Sequence, residues 1–408
     1  MIVKQKINSD FLPSLYSNNV RIPSIDRYRG LLLALMIAFG AAKMFEYVPF
    51  FELISTHDPS KAFLLLKGYA IYDLGAPIFV FVSGLSFCYS FRSLLKKMPE
   101  SKALYVLLMR GFKTIGIGGL LFFAPNDAVG IISISMLGAI IVFAIICLIL
   151  KSTGKNVTKT FFVVLNVSLA AFGIAITFVG VLDNILFASG IQVLGTHWSA
   201  LCSIGFSMIV SIPFVRLSLN RKLIGAFLLT VFYLCLNLLI PMGFFTHWTH
   251  GGLLGSFGFA LLFYYAHTLV ELSDKNKYLS WYFALILTFT AFVAVGSQTP
   301  SKSAVNFSYV LTSFFFSYAI YIVVQLFDGI KVNKSDILTV LGRNSLLVYL
   351  LHSFVTFPIG ICINALVAYL GLNQVLSALL CVVCMICYVL LMTSWIYRLN
   401  KKGFALKM

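Results

Sequence analysis

Twelve apolar stretches, each close to twenty residues long, leave this chain few architectures to fold into. They fall at roughly 30–51, 70–91, 103–123, 130–150, 160–180, 196–215, 223–242, 251–270, 280–297, 307–327, 345–366 and 374–397. A helix rises about 1.5 Å per residue, so each stretch is long enough to cross a hydrocarbon core of ~30 Å. Membrane β-strands are about half as long and alternate in polarity, which these do not. Charged residues make up 11% of the 408, against roughly 25% in soluble domains. The expectation is an all-α, polytopic membrane protein with about 12 transmembrane helices. Residues 1–408 read as a single integral membrane domain, with 1–25 a cytoplasmic N-terminal segment and 398–408 a cytoplasmic tail. The first 20 residues lack the apolar core and small-residue cleavage site of a removed signal peptide.

The links between stretches alternate in charge. Those on one side hold Lys43, Lys61, Lys67 and Lys302, while the other side, with both termini, holds the remaining 26 of 30 basic residues. Basic residues collect on the cytoplasmic face, so both termini are expected there, in a multi-pass protein of the plasma or inner membrane. The same pattern accounts for a net charge of +17 with no nucleic-acid partner. The densest group, Arg92, Lys96, Lys97, Lys102, Arg110 and Lys113, reads first as a topology anchor and second as a site for acidic ligand groups. The eight cysteines lie in or at the ends of apolar stretches. In "CVVCMIC" three of them, Cys381, Cys384 and Cys387, share a helix face with no histidine nearby, which reads as packing. No metal is expected.

Ionisable groups at membrane depth cost about 2.5–3.5 kcal/mol each on insertion scales, which makes every one a functional candidate. In "RIPSIDRYRGLLLALMIAFGAAK", Arg29 and Lys43 stand 14 residues apart, about 21 Å of helix against a core of ~30 Å. Asp26 and Arg29 share a helix face and can pair; the bland alternative is a helix start capped by Ser24 with a basic anchor. Asp73, in "KGYAIYDLGAPIFVFVSGLSF", precedes a span rich in small residues and is either a buried functional carboxylate or a simple N-terminal helix charge. His57, His197, His247 and His250 fall on the outer side, where imidazole is the usual general base near neutral pH. The pair His247 and His250 has metal-like spacing but no completing ligand. In "LGRNSLLVYLLHSF", Arg343 and Asn344 open the eleventh stretch and His352 follows deeper; the bland reading is a capped helix start plus one satisfied histidine.

These stretches resemble a known family, the heparan-α-glucosaminide N-acetyltransferases and their bacterial relatives, within the transmembrane acyltransferases. "SIDRYRGLLLALMI" looks like its cytoplasmic motif through Asp26, Arg29 and Gly30, and "KGYAIYDLGAPIFVFVSG" like its second signature through Gly68, Asp73, Leu74, Pro77, Phe79, Phe81 and Gly84. "GGLLGSFGFALLF" is similar to its Gly-Leu-Leu-Gly-Thr span start. Its last signatures are matched by Ser308, Tyr309, Asn344, Tyr349 and His352. The middle, about 125–240, matches poorly, and a helical pair near 130–180 is extra to a family core of roughly ten spans. The family's histidine before the aspartate is absent from "AFLLLKG"; its asparagine near the end of the first span is Gly40, its acidic residues before the glycine motif are "WTHGG", and its tryptophan is Val305.

The resemblance implies a membrane acyltransferase that moves an acyl group, in the first instance acetyl, from cytoplasmic acetyl-CoA or another acyl-CoA to an extracytoplasmic glycan amine or hydroxyl. On this reading Arg29, Asp26, Arg343, Asn344 and His352 serve the CoA, and Asp73 with His57, His247 or His250 the catalytic step. The partners are the lipid bilayer, the acyl-CoA and the glycan, with a homodimer left open. Two rival readings are a transporter or flippase for a small solute or lipid-linked sugar, and a homologue that keeps the scaffold without catalysis.

Overall fold

The computed structural model describes residues 23–43, 64–66, 68–121, 158–188, 198–246, 249–328, 336–371 and 373–401. Within them run α1 (Pro23–Lys43), the strands β1 (Leu64–Leu66) and β2 (Tyr69–Ala70), α2 (Gly75–Leu95), α3 (Glu100–Leu121), α4 (Thr158–Ala188), α5 (Ala200–Val215) and α6 (Leu219–Leu239). The one-turn α7 (Gly243–Thr246) precedes α8 (Gly252–Lys275), α9 (Lys277–Ser297), α10 (Phe307–Asp328), α11 (Ile337–Arg343), α12 (Ser345–Leu370) and α13 (Gln374–Lys401). The stretch expected at 130–150, the two termini and His57, His197 and His247 lie outside the described residues. Over their described residues the other eleven stretches fall mainly on helices, and eight of the described helices are long and apolar enough to cross a membrane.

Local chemistry sets several helix starts. Pro23 opens α1, where its missing N–H leaves no hydrogen bond unmade. Ser24 therefore lies inside the first turn rather than capping it, a correction to the sequence reading. The Asn276 side chain accepts from the Tyr278 N–H at 2.9 Å and starts α9, and Asp336 does the same for α11 through Thr339 at 2.8 Å.

Burial runs opposite to apolarity. The most apolar window belongs to α13, which is only 22% buried, whereas the α8 window is 89% buried although it carries glycines, hydroxyls and His267. In water that order would leave a large apolar patch exposed at every outer helix. In lipid it is expected, because tails solvate Leu238, Phe289 and Leu391 as well as a core does, so polar and small residues go to the helix contacts. The chain is an integral membrane protein.

The central helix α8 packs on α2, α5, α6, α9 and α10. On one flank α3 joins α4 and α5; Gly116 and Gly173 face each other there, and a Cβ on either would lie about 2 Å from the opposing backbone oxygen. The second half of the expected extra pair is thus α4, set backbone to backbone on α3. On the other flank α1, α11, α12 and α13 enclose a separate apolar cluster of Leu33, Ile37, Val340, Leu341, Val348, Tyr388, Met392 and Ile396.

Candidate functional site

Two charged clusters stand at opposite ends of this bundle. The first forms where α1 crosses α11. A Cβ on Gly30 would sit 1.8 Å from the Leu338 carbonyl oxygen, and one on Gly342 would sit 1.7 Å from that of Asp26. Only glycine permits this crossing, and it brings Asp26, Arg29 and Arg343 together. The buried Asp26 carboxylate lies 3.9 Å from Arg29 Nη1 and 3.5 Å from Arg343 Nε. Arg29 also donates to the Ser86 hydroxyl on α2. Beside it, Arg27 Nε donates to Asp336 Oδ2 at 2.8 Å, tying α1 to the cap of α11. Two guanidinium groups thus share one carboxylate, and each stays about 30% exposed. The arrangement carries surplus positive charge in a planar, bidentate form suited to phosphate or carboxylate.

Asn344 stands at the N-terminal end of α12 and so opens the eleventh span as expected, while Arg343 belongs to a short helix before it. Arg343 ends the short α11, and Asn344 is the break before α12, at φ −108° and ψ 29°. Its buried Nδ2 donates to the Val340 carbonyl at 3.0 Å, which fixes the turn that aims Arg343 at Asp26. His352 lies two turns into α12, partly buried, and Tyr349 of that helix meets the Phe79 ring edge-on at 6.4 Å.

The second cluster lies before α2. Ser86 is eleven residues past the helix start, so about 17 Å of helix separates the two ends. Asp73 sits in a 3-10 turn, buried, and its Oδ2 accepts the Ala70 N–H at 2.9 Å. Lys302 Nζ lies 3.8 Å from Oδ1, and Tyr309 donates to the Asp73 carbonyl at 3.0 Å. The Tyr69 and Ser313 hydroxyls are 2.9 Å apart, with the Tyr69 ring 5.3 Å from that of Tyr309. Burial pushes the Tyr69 phenol well above its usual range, so it serves as a neutral hydrogen-bonding group rather than a base. Asp73 is therefore more than a helix charge: backbone, lysine and tyrosine converge on one residue.

This end is built from unusual backbone. Among the described residues six have positive φ, and five of them gather here: Gly68, His250, Gly251, Gly252 and Val305. Gly68 turns the hairpin of β1 and β2 at φ 78°, where a Cβ would meet the Pro300 carbonyl at 2.9 Å. His250 and Val305 take φ 54° and 47°, and a β-branched residue there costs on the order of 1–3 kcal/mol. Val305 is held by the Tyr233 hydroxyl on its carbonyl and by Gly251 and Gly255 against its side chain. Asn306 clasps the same loop, donating to the Thr299 carbonyl at 2.8 Å and accepting from Ser301 and Tyr309. His250 stands on the α8 side of this loop and Asp73 on the α2 side.

A seam of buried hydroxyls on α10 runs between the ends. Ser308 and Thr312, with Tyr309, Ser313 and Ser317 beside them, recur at four-residue steps and are all buried. Tyr28, next to Arg29, donates to the Ser317 carbonyl at 2.6 Å, so the seam reaches from Asp73 to the α1 cluster over about 12 Å of α10. The hydroxyls of Ser308, Thr312 and Ser317 have no hydrogen-bond partner. Sequence reading missed Tyr69, Lys302, Ser313, Ser317 and Tyr28. For Ser313 and Ser317 the signal is the hydroxyl period in "NFSYVLTSFFFS", in a stretch otherwise apolar, whereas Tyr28, Tyr69 and Lys302 carry no such pattern.

The structure thus unites Asp26, Arg29 and Arg343, with Asn344 adjoining, and sets Asp73 and His250 at the far end. No curated protein matches the chain. Residues 22–398, which take in both clusters and the seam between them, match the family described as an acyltransferase domain (Acyl_transf_3). The chain belongs to that family, as a transmembrane acyltransferase.

Proposed function

We propose that the protein transfers an acyl group, in the first instance acetyl, from cytoplasmic acyl-CoA to an amine or hydroxyl of an extracytoplasmic glycan. One observation carries this reading: a basic cluster at one end and a buried carboxylate at the other, joined by unbonded hydroxyls inside the bundle. Arg29 and Arg343 take the phosphates of CoA, with Asp26 holding both guanidinium groups in place and Asn344 fixing the turn behind them. The pantetheine arm follows the α10 seam, whose free hydroxyls match its amides. His352 borders this passage from α12.

At the far end Asp73 orders the loop on which the acceptor lies. A base there, His250 among the described residues or His57 or His247 outside them, takes the acceptor proton as nitrogen or oxygen attacks the thioester carbonyl. The C–S bond then breaks, and CoA leaves as a thiolate that is reprotonated. The finer likeness to the heparan-α-glucosaminide acetyltransferases rests on the sequence motifs around Asp26, Asp73, Gly252, Ser308 and Asn344. The positive-inside pattern sets the α1 cluster on the cytoplasmic side.

The test is acyl transfer in sealed vesicles of known orientation, with labelled acetyl-CoA supplied on one side and a glycan acceptor on the other. Label on the acceptor only when donor and acceptor face opposite sides supports the reading. Label that appears only when both share a side contradicts it, and solute movement without any CoA favours a transporter.

A further inference from the structure

A third polar cluster, unused above, is buried between α2, α6 and α8. Cys88 is two residues past Ser86 and so faces away from the Arg29 cluster. Glu271 Oε1 lies 3.6 Å from Cys88 Sγ and 3.6 Å from His267 Nε2, and all three donor atoms fall within 4.8 Å of one another. Tetrahedral zinc, with Zn–S about 2.3 Å and Zn–N or Zn–O about 2.0–2.1 Å, sets its donors roughly 3.3–3.5 Å apart. Two of the three edges, at 3.6 Å, are within a few tenths of an ångström of that length. His267 and Glu271 stand one helical turn apart on α8, and Cys88 comes from the helix packed on it.

His267 supplies the second, independent observation. It is fully buried between the rings of Phe87 and Tyr264, each 6.0 Å away, and neither ring nitrogen makes a hydrogen bond. Buried polar groups are nearly always bonded, so an orphaned imidazole aimed at a thiol and a carboxylate calls for a partner. One nitrogen, one sulfur and one oxygen donor select a borderline-soft divalent ion over calcium or magnesium.

Lys222 opposes such an ion. Its buried ammonium lies 2.5 Å from Glu271 Oε1 and donates to the Val215 carbonyl at 3.0 Å. With the seat empty it neutralises Glu271; when a cation enters, Lys222 retains Val215 and the Cys88 thiol releases its proton. We propose that Cys88, His267 and Glu271 form a site for a zinc-class divalent cation that clamps α2 to α8, with Lys222 as the internal cation competing for Glu271.

The test uses the full-length, tag-free protein, stripped with chelator, dialysed against micromolar zinc and assayed for metal by mass spectrometry. The expected result is one zinc per chain, lost in Cys88→Ser and in His267→Gln, while Lys222→Met binds at least about tenfold more tightly once the like charge is gone. In the wild type, cobalt(II) should give a thiolate charge-transfer band that Cys88→Ser abolishes. That band, like the zinc count, needs no variant to fold. A wild type that holds no zinc and shows no such band overturns the proposal. So does zinc that persists undiminished in both Cys88→Ser and His267→Gln.

Discussion

The two charged ends of the bundle are built by opposite means. The Asp26 cluster rests on regular helices: two glycines let α1 and α11 touch, and long basic side chains reach over a buried carboxylate while staying about 30% exposed. The Asp73 cluster rests on irregular backbone, a two-strand hairpin, a 3-10 turn and five left-handed residues, with its carboxylate sealed from solvent. A rigid crossing presents charge to a ligand that arrives from water. Strained loops hold one exact placement of a buried group, at an energetic cost that the surrounding contacts must cover. On the proposed reading the first end serves affinity and the second serves chemistry, and that division can be broken.

The largest expected effect is at Asp73. Asp73→Ala should lower turnover by about 10²-fold or more, because the loop that places the acceptor loses its order, with donor binding unchanged. A parallel loss of donor affinity would merge the two ends into one site. Next comes Arg343→Ala, expected to weaken acyl-CoA binding about 10–100-fold, as the loss of a charged hydrogen bond of ~1.5–3 kcal/mol requires, with turnover at saturating donor close to wild type. Kinetics at varied donor concentration separate the two outcomes.

Gly342→Ala should destabilise by about 1–3 kcal/mol and lower Tm, because the added carbon meets the Asp26 carbonyl. Gly296→Ala in α9 is its control: with no atom within 4 Å of the added carbon, it should leave Tm unchanged or raise it slightly. The smallest effect is Tyr69→Phe, about 1 kcal/mol for the hydrogen bond to Ser313. Burial raises the phenol in the folded state, so its contribution is complete below the unfolded value near ~10 and is lost as pH rises past it. Unfolding measured from neutral to alkaline pH should therefore be less alkali-sensitive in Tyr69→Phe than in the wild type.

The helices were legible because lipid imposes a length: over their described residues eleven of the twelve expected stretches fall mainly on helices, and the twelfth lies outside the described residues. The short α11 was not legible: seven residues carry no span signal, and only Asp336 as a cap marks its start. Asn344 does open α12, but nothing in the sequence marks Arg343 as the end of a separate helix with a bend between the two. Asp26 with Arg29 could be paired from sequence because they share a helix turn. Arg343, more than three hundred residues away, joins them only through glycines whose packing partners sequence does not name.

Lys222 was missed for the opposite reason. It falls in a basic loop pattern that reads as a topology anchor, yet it is buried at the start of α6 against Glu271. His267 and Cys88 lie within apolar runs where one polar residue gives no period.

The central claim is that acyl-CoA is read at the Asp26–Arg29–Arg343 cluster, and the most direct test is thermal stability of the purified protein with acetyl-CoA, longer acyl-CoAs and free CoA. A ligand that binds the native state must raise the apparent Tm. The account predicts a clear rise for wild type and for Asp73→Ala, and a markedly smaller one for Arg29→Ala and Arg343→Ala at the same ligand concentration. No rise in wild type at millimolar ligand, or an equal rise in the arginine variants, would contradict it.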